Sequence, residues 1–248
     1  NVTYGVFDGE VLRATWRMAT DVRRQPDEYF SLNVNLLLHH GLQIKDIKQG
    51  VLSSVVPPLT TTFEEVFEKY FKIRPVVVGT GTKTGIRVLY ENPREVGADR
   101  IAHAVAAYHL YGGPLIIIDF GTATVFDAIT DSGDYLGGAI APGINLAAEA
   151  LFTRTSKLPR IELARPKHAI GRNTVASMQS GLFYGYVGLI EGMVARFQKE
   201  LGGGAKVVAT GGLARHIAQD TTVIDVVNYD LVLIGLRLLH EQNEKVGR

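Results

Sequence analysis

Apolar and polar residues along the chain follow two periods, one typical of β-strands and one typical of α-helices. The stretch "VTYGVFDGEVLRATWRM" has two β-prone runs around Asp8-Gly9, a turn dipeptide, and predicts a β-hairpin. In "DEYFSLNVNLLLHHGL" the apolar residues fall at helical spacing, which predicts a helix that ends near Gly41.

The next part of the chain combines short apolar runs with proline and glycine. "IKQGVLSSVVPPL" predicts a buried strand ended by Pro57-Pro58, and the spacing of Thr62 and Glu65 predicts a capping box at the start of a helix. "RPVVVGTGTKTGIRVLY" predicts a strand, a turn and a strand. The glycines from Gly79 to Gly85 lack the spacing of a dinucleotide-binding loop and the adjacent Gly-Lys of a P-loop, so a hairpin turn is the better interpretation.

The remaining chain alternates strands and helices. "NPREVGADRIAHAVAAYHLYGG" predicts a helix that ends at Gly112-Gly113, and "PLIIIDFGTATVFDAI" predicts a buried strand that turns straight back into an antiparallel partner. Further strands are predicted in "YLGGAIAP", "KVVATGG" and "TVIDVV", and further helices in "INLAAEALF", "GRNTVASMQSGLFYGYVGLIEGMVARFQKEL", "LARHIAQ" and "LVLIGLRLLHEQNEK". Because each half has strands first and helices after, we predict an α/β fold of two similar domains, residues 1–112 and 113–248.

Composition excludes several classes of function. Of 248 residues, 46% are hydrophobic and 21% charged, which is typical of a globular protein, and a net charge of +1 gives no field that favours nucleic acid or an anionic membrane. The chain has no cysteine, which excludes disulfides, thiol catalysis and cysteine metal sites. The histidines show no zinc-binding spacing, so we expect no zinc, and no run predicts a membrane span. We expect a cytoplasmic protein.

The turn in "IIIDFGTATVFDAI" combines several features of a phosphate site. A buried strand fixes Asp119 at its end, Gly121 allows close approach of a ligand to the backbone, and Thr122 and Thr124 offer donors to an anion. Donors to phosphate beside a carboxylate require a cation between them. An ordinary hairpin in which Asp119 and the threonines satisfy the turn explains the same residues, and the spacing alone does not decide between the two.

Two further stretches carry candidate site residues. Gly211-Gly212 lies between a strand and a helix, where the absence of side chains allows a base or a ribose to lie on the backbone. Asp99 and Arg100 stand at a predicted helix start, where they fit either a helix cap with a surface charge or an acceptor carboxylate beside a guanidinium that binds a substrate carboxylate.

Taken together, these strings resemble a known family. "ENPREVGADRI", "IIIDFGTAT", "YLGGAIAPGI", "ALFTRTSKLPRIEL", "GRNTVASMQSG" and "VVATGGLA" stand in the order and spacing of the bacterial type III pantothenate kinases. The resemblance extends from residue 1 to about Gln242. It implies membership of the superfamily of actin, hexokinase and the heat-shock ATPases, hence two ribonuclease-H-like domains with ATP in the cleft between them.

The resemblance also implies an activity and a site. The reaction is transfer of the ATP γ-phosphoryl group to the 4′-hydroxyl of pantothenate, the first step of coenzyme A biosynthesis. ATP comes with Mg²⁺ or another divalent cation, and K⁺ or NH₄⁺ is a second ion. The implied roles are general base for Asp99, ligand of the monovalent cation for Asp119, ATP binding for Gly121, Thr122, Gly211 and Gly212, and pantothenate binding for Tyr90, Gly97, Ala98, Asp99, Arg100 and Thr174. Thr174 is implied to reach the partner's site in a homodimer.

The family pattern begins with a phosphate-binding D-x-G-N-[ST] loop, and Asn1 aligns immediately after it. We therefore expect the chain as printed to bind and turn over ATP poorly. We also expect a strand ahead of the Val2–Met18 hairpin in the complete protein.

Small residues form a stripe on the long predicted helix. Gly181, Gly185, Gly188 and Gly192 fall one helical turn apart, with Ser177 one turn earlier. Charged and polar residues on the same helix exclude a lipid environment, and a close protein contact within the chain or across a dimer fits the pattern.

Two alternatives to a pantothenate kinase remain open from the sequence. The first is another phosphotransferase of the same superfamily, such as a sugar kinase, which a panel of acceptor substrates would separate. The second is a non-enzymatic homologue that senses or regulates, which an absent first loop would permit.

Overall fold

The computed structural model describes residues 1–244, and the chain forms two compact units. Unit 1 contains Asn1–Gly85, Arg94–Ala106 and the chain from Val232 onward, and unit 2 contains Ile86–Pro93 and Ala107–Leu231. The single domain boundary predicted near Gly112 stays a prediction.

Unit 1 begins with the predicted hairpin, in which β1 (Val2–Asp8) pairs antiparallel with β2 (Val11–Met18). Gly9 makes the turn with φ +58°, a value that glycine adopts without strain. The hairpin is followed by α1 (Pro26–His39), β3 (Val51–Leu52), α2 (Pro57–Val66) and β4 (Val76–Val77), and β3 and β4 pair in parallel. The unit also holds the start of α3 (Ala98–Tyr111) and most of α7 (Leu231–Glu244). Lys245, included in the last predicted helix, lies outside the described residues.

The predicted start of α2 was wrong. Pro57 and Pro58 open the helix instead of closing a strand, because the first helical positions need no intrahelical N–H. Thr62 therefore lies inside the helix, where its Oγ1 donates to the carbonyl of Pro58 at 3.1 Å instead of capping.

The predicted hairpin around Gly79 to Gly85 was also wrong. The only strand partner of β4 among residues 1–244 is β3, and the pair is parallel. The run after the glycines contributes a single parallel bridge between Val88 and Tyr135. The loop thus connects β4, which pairs with β3, to Val88, which pairs with Tyr135. It does not return the chain onto β4.

Unit 2 is built on a five-stranded sheet of order β7-β6-β5-β8-β9. β5 (Leu115–Phe120), β6 (Ala123–Ile129) and β7 (Tyr135–Pro142) form an antiparallel meander, while β8 (Lys206–Gly211) lies parallel to β5 and β9 (Val226–Val227) lies parallel to β8. The unit's helices are α4 (Ile144–Arg154), α5 (Thr174–Glu200) and α6 (Ala214–Ala218). The predicted α/β class and the predicted order of these elements are confirmed, although β9 is shorter than predicted.

The core of unit 2 fixes where its strands end. One sheet face, including Ile116, Ile118 and Phe126, packs against Phe183 and Ile190 of α5. Leu115 to Ile118 are fully buried, so the next residue, Asp119, has a fixed position at the end of β5. No helix within residues 1–244 is long and apolar enough to cross a membrane.

Candidate active site

The carboxyl ends of β5 and β8 form the first part of the candidate site. These neighbouring parallel strands place Asp119 opposite Thr210 and Phe120 opposite Gly211. Parallel strands that end side by side present their last residues at the same sheet edge, which is where open α/β sheets bind ligands. The structure thus brings Asp119 and Gly211 together, although they are far apart in sequence.

The Asp119 carboxylate lies between two glycine backbones. A Cβ atom added to Gly211 would come within 2.7 Å of Asp119 Oδ1, and one added to Gly121 would lie 3.7 Å from Asp119 Oδ2. Gly211 also has φ +90°. Its added Cβ would approach the carbonyl oxygen of Phe120 to 2.6 Å, so no side chain fits there. The next glycine, Gly212, is exposed and has open space around it.

The turn between β5 and β6 is exposed at Gly121 and Thr122. The Gly121 N–H donates to the carbonyl of Ala123 at 3.1 Å, and the carbonyl of Thr122 accepts from Gly143 N–H at 3.0 Å. Gly143 caps the start of α4, and a Cβ there would lie 2.3 Å from Thr122 O. The first turn of α4 therefore packs directly beneath the backbone of this turn.

The expectation that Thr124 offers a donor to an anion was wrong. Thr124 is 1% exposed, and its hydroxyl lies 3.0 Å from that of Tyr186 on α5. Burial raises the pKa of Tyr186, and the hydrogen bond with Thr124 opposes that shift. The alternation of β6 already placed Thr124 on the same face as Phe126, which is buried.

The start of α3, in unit 1, carries the second group of predicted residues. Asp99 Oδ1 accepts the N–H of Arg100 at 2.8 Å, and a Cβ on Gly97 would lie 2.5 Å from that same oxygen. Ala98 opens the helix, and the Gly97 carbonyl accepts from Ile101 N–H at 3.2 Å. Arg100 is only 9% exposed, so it is not the surface charge that a simple helix cap would carry.

Tyr90 and Thr174 lie in unit 2 on separate elements. A Cβ on Gly137 of β7 would lie 3.1 Å from two ring carbons of Tyr90, so the ring rests against this glycine, whose φ is +126°. Thr174 is the exposed first residue of α5, directly after Asn173, whose side chain accepts the N–H of Ala176 at 2.8 Å.

The donor chemistry beside Asp119 fits a hard cation. The carboxylate and the nearby carbonyl of Phe120 are oxygen donors, the type that alkali and alkaline-earth ions take. Across residues 1–244, no cluster of three or more His, Asp or Glu side chains has an arrangement that could hold a metal ion. An ion at Asp119 would therefore take its further ligands from the backbone, from water or from a bound phosphate.

Comparison with known proteins identifies close relatives. The family model described as type III pantothenate kinase matches residues 1–196. A protein named type III pantothenate kinase from Dehalococcoides mccartyi strain BAV1 is 53% identical over 244 residues, covering 98% of this chain and 93% of the relative. Its counterpart from strain CBDB1 is 52% identical over the same shares.

Solved structures share the fold at low sequence identity. A putative Baf family transcriptional activator from Campylobacter jejuni superposes with a TM-score of 0.54 at 20% identity, covering 82% of this chain and 87% of that one. Component A of (R)-2-hydroxyglutaryl-CoA dehydratase from Acidaminococcus fermentans has a TM-score of 0.50 at 13% identity, covering 98% and 93%. At these identities the two structures establish similarity of fold alone.

Proposed function

The chain belongs to the type III pantothenate kinase family, and from this premise we propose that it transfers the γ-phosphoryl group of ATP to the 4′-hydroxyl of pantothenate, giving 4′-phosphopantothenate and ADP. This reaction would be the first step of coenzyme A biosynthesis. The structural observation that carries the proposal is the position of the Asp119 carboxylate between the backbones of Gly121 and Gly211, where two parallel strands end. The ribonuclease-H-like form of the two domains is part of the same proposal.

ATP is proposed to bind at this strand edge of unit 2. The exposed backbone of Gly121 and Thr122 would receive the phosphates, since Gly121 carries no side chain to hold them away. The exposed backbone of Gly212, next to Gly211, would support the ribose or the base. The open space around Gly212 supports this assignment, because a flat group can approach the backbone there.

Asp119 is proposed to hold the monovalent cation, K⁺ or NH₄⁺, while Mg²⁺ or another divalent cation accompanies ATP. These ions would supply charge neutralisation for the phosphates during transfer. The role of Asp119 is to keep a carboxylate at a fixed point beside the phosphates, and the buried strand behind it makes that point rigid.

Asp99 is proposed as the general base. Its Oδ1 accepts the Arg100 N–H, and within residues 1–244 its Oδ2 makes no hydrogen bond, so that oxygen can orient the pantothenate hydroxyl. Phosphoryl transfer passes through a loose transition state, and the hydroxyl need not be deprotonated beforehand. Asp99 therefore orients the nucleophile and takes its proton late in the reaction.

Pantothenate is proposed to bind at the start of α3. Arg100 would pair with the pantothenate carboxylate, and the backbone of Gly97 and Ala98 would lie along the substrate. Tyr90 would contact it from its position on Gly137, and Thr174 would complete the pocket of a partner subunit.

We also propose a cytoplasmic homodimer. The glycine stripe of α5 supports this arrangement, because Cβ atoms added at Gly181, Gly185 and Gly188 meet no atom within 4 Å. These three glycines are exposed, and a second copy could approach this smooth helix face closely.

The test is ATP-dependent phosphorylation of pantothenate by the protein expressed from its complete reading frame. We expect 4′-phosphopantothenate and ADP in equal amounts, and a large loss of rate when Na⁺ replaces K⁺. Sugars offered in place of pantothenate form the control panel. Phosphorylation of a sugar but not of pantothenate, or the absence of any ATP-dependent transfer, would overturn the proposal in favour of a different kinase or a regulatory protein.

A further inference from the structure

Tyr186 on α5 makes two hydrogen bonds, one buried and one partly buried, that no step of the proposed reaction uses. The side chain is 7% exposed, and its hydroxyl donates to the carbonyl of Pro142 at the end of β7. The same oxygen lies 3.0 Å from Thr124 Oγ1 on β6. Because the single proton of Tyr186 goes to a carbonyl, which can only accept, the Thr124 hydroxyl is the donor of the second bond.

The two partners of Tyr186, Thr124 and Pro142, lie on opposite sides of the turn that contains Gly121 and Thr122. Thr124 follows the turn on β6, where it pairs with Phe120 across the hairpin. Pro142 precedes Gly143, whose N–H donates to Thr122 O at 3.0 Å. The Tyr186 hydroxyl therefore connects β6, which follows the turn, to Pro142 and Gly143, which pack against the turn.

The turn tolerates little movement against this support. An added Cβ on Gly143 would come within 2.3 Å of Thr122 O and 2.7 Å of Gly121 O, so the two backbones are already in close contact. A shift of Pro142 would carry Gly143 with it, and the Gly143–Thr122 hydrogen bond would lengthen or break. Tyr186 thus adds a tie to the β6–β7 pairing of Ala123 with Pro142 in fixing the exposed Gly121–Thr122 backbone.

We propose that Tyr186 is a positioning residue for ATP, which holds the Gly121–Thr122 turn in the conformation that receives the phosphates. This inference rests on the proposed function of that turn. Loss of the hydroxyl leaves the buried Thr124 hydroxyl without its partner and removes one tie between β6 and Pro142, so the turn between them is held less tightly. The phosphate site loosens, whereas Asp99 and the start of α3 are untouched.

The test compares Tyr186→Phe with Tyr184→Phe in steady-state kinetics. Tyr184 lies on the same helix, and its hydroxyl also donates to a proline carbonyl, that of Pro166, at 3.0 Å, which makes it a matched control away from the turn. We expect Tyr186→Phe to raise the KM for ATP about 3- to 10-fold, the equivalent of one buried hydrogen bond, with the KM for pantothenate unchanged. Tyr184→Phe should leave both constants within about 2-fold of the wild-type values.

Further variants and a binding assay keep the outcome interpretable. Thr124→Val removes the other hydroxyl of the pair, and the double variant Thr124→Val/Tyr186→Phe should raise the KM for ATP less than the product of the single effects. An unchanged KM for ATP in Tyr186→Phe, or equal increases in the two tyrosine variants, would overturn the inference. If Tyr186→Phe does not fold, an unchanged KM for ATP in Thr124→Val overturns it.

Calorimetric titration with a non-hydrolysable ATP analogue separates this inference from the function on which it rests. Absence of pantothenate phosphorylation by the wild type refutes the proposed reaction. In that case, weaker binding of the analogue by Tyr186→Phe and unchanged binding by Tyr184→Phe would still support Tyr186, and equal binding by all three proteins would refute its role.

Discussion

Replacing Gly211 by alanine is the sharpest structural perturbation of the proposed ATP site. The residue has φ +90°, a conformation that side chains with a Cβ rarely adopt. Its new methyl group would come within 2.6 Å of Phe120 O and 2.7 Å of Asp119 Oδ1. The substitution therefore strains the end of β8 and displaces the carboxylate at the end of β5.

The magnitude follows from two costs. A left-handed conformation costs a residue with a Cβ roughly 1–2 kcal/mol. Forcing an extra methyl group into a closely packed site typically costs about 1–3 kcal/mol. Together these give a loss of about 2–5 kcal/mol. For a chain of this length, that loss corresponds to a decrease in Tm of roughly 4–20 °C.

The assay is thermal unfolding of Gly211→Ala beside Gly212→Ala. Gly212 is the next residue and has no atom within 4 Å of an added Cβ, so its substitution should change the Tm by no more than about 2 °C. If the ATP assignment holds, Gly212→Ala still weakens ATP binding, because its methyl group occupies the backbone surface that the ligand would cover. Equal Tm values for the two variants would show that close packing at Gly211 does not stabilise this strand end.

Three further predictions concern Asp99, Asp134 and Gly185. Asp99→Asn should keep the KM for pantothenate and lower kcat by several orders of magnitude, measured by steady-state kinetics. The Arg87 guanidinium, which donates to both Asp134 oxygens at 2.7 and 2.6 Å, holds the pKa of Asp134 below its ordinary value of 3.8. Because this pKa is lowered in the folded state, the ion pair contributes its full stability at a pH above 3.8 and loses it as the pH falls through the folded-state pKa. The Tm difference between wild type and Asp134→Asn should therefore shrink below pH 3.8. Gly185→Leu should convert the proposed dimer into monomers in analytical ultracentrifugation.

Each of these predictions has a contrary result. Near-normal turnover by Asp99→Asn refutes its role as base. A Tm difference for Asp134→Asn that stays constant as the pH falls removes the ion-pair explanation. An intact dimer in Gly185→Leu, matching the control Glu200→Leu, would exclude the glycine stripe from the interface.

Local signals in the sequence predicted much of unit 2. The apolar run before Asp119 and the apolar return after Thr124 indicated a tight antiparallel pair, and β5 and β6 have that arrangement. Gly112 ends α3 with φ +70°, as its position after the last helical residue predicted. Such elements are specified by residues that are neighbours along the chain.

The errors arose where distant contacts decide the structure. Thr124 looked like a phosphate donor because its partner, Tyr186, is 62 residues away. The run after Gly85 looked like the return strand of a hairpin, but its Val88 pairs with Tyr135. Pro57 and Pro58 were read as a strand end, although proline serves equally well as the opening of a helix. Periodicity does not distinguish these alternatives, because each depends on which surface the segment meets after folding.

The proposed function assigns a monovalent cation to the Asp119 carboxylate and the pantothenate hydroxyl to the Asp99 carboxylate. A crystal structure of the complete protein with a non-hydrolysable ATP analogue, pantothenate and Rb⁺ in place of K⁺ tests it directly. We expect an anomalous Rb⁺ peak beside the Asp119 carboxylate and the pantothenate 4′-oxygen within about 2.6–3.2 Å of Asp99. An Asp119 carboxylate with no ion beside it and an Asp99 carboxylate with no alcohol oxygen within hydrogen-bond distance would contradict both assignments.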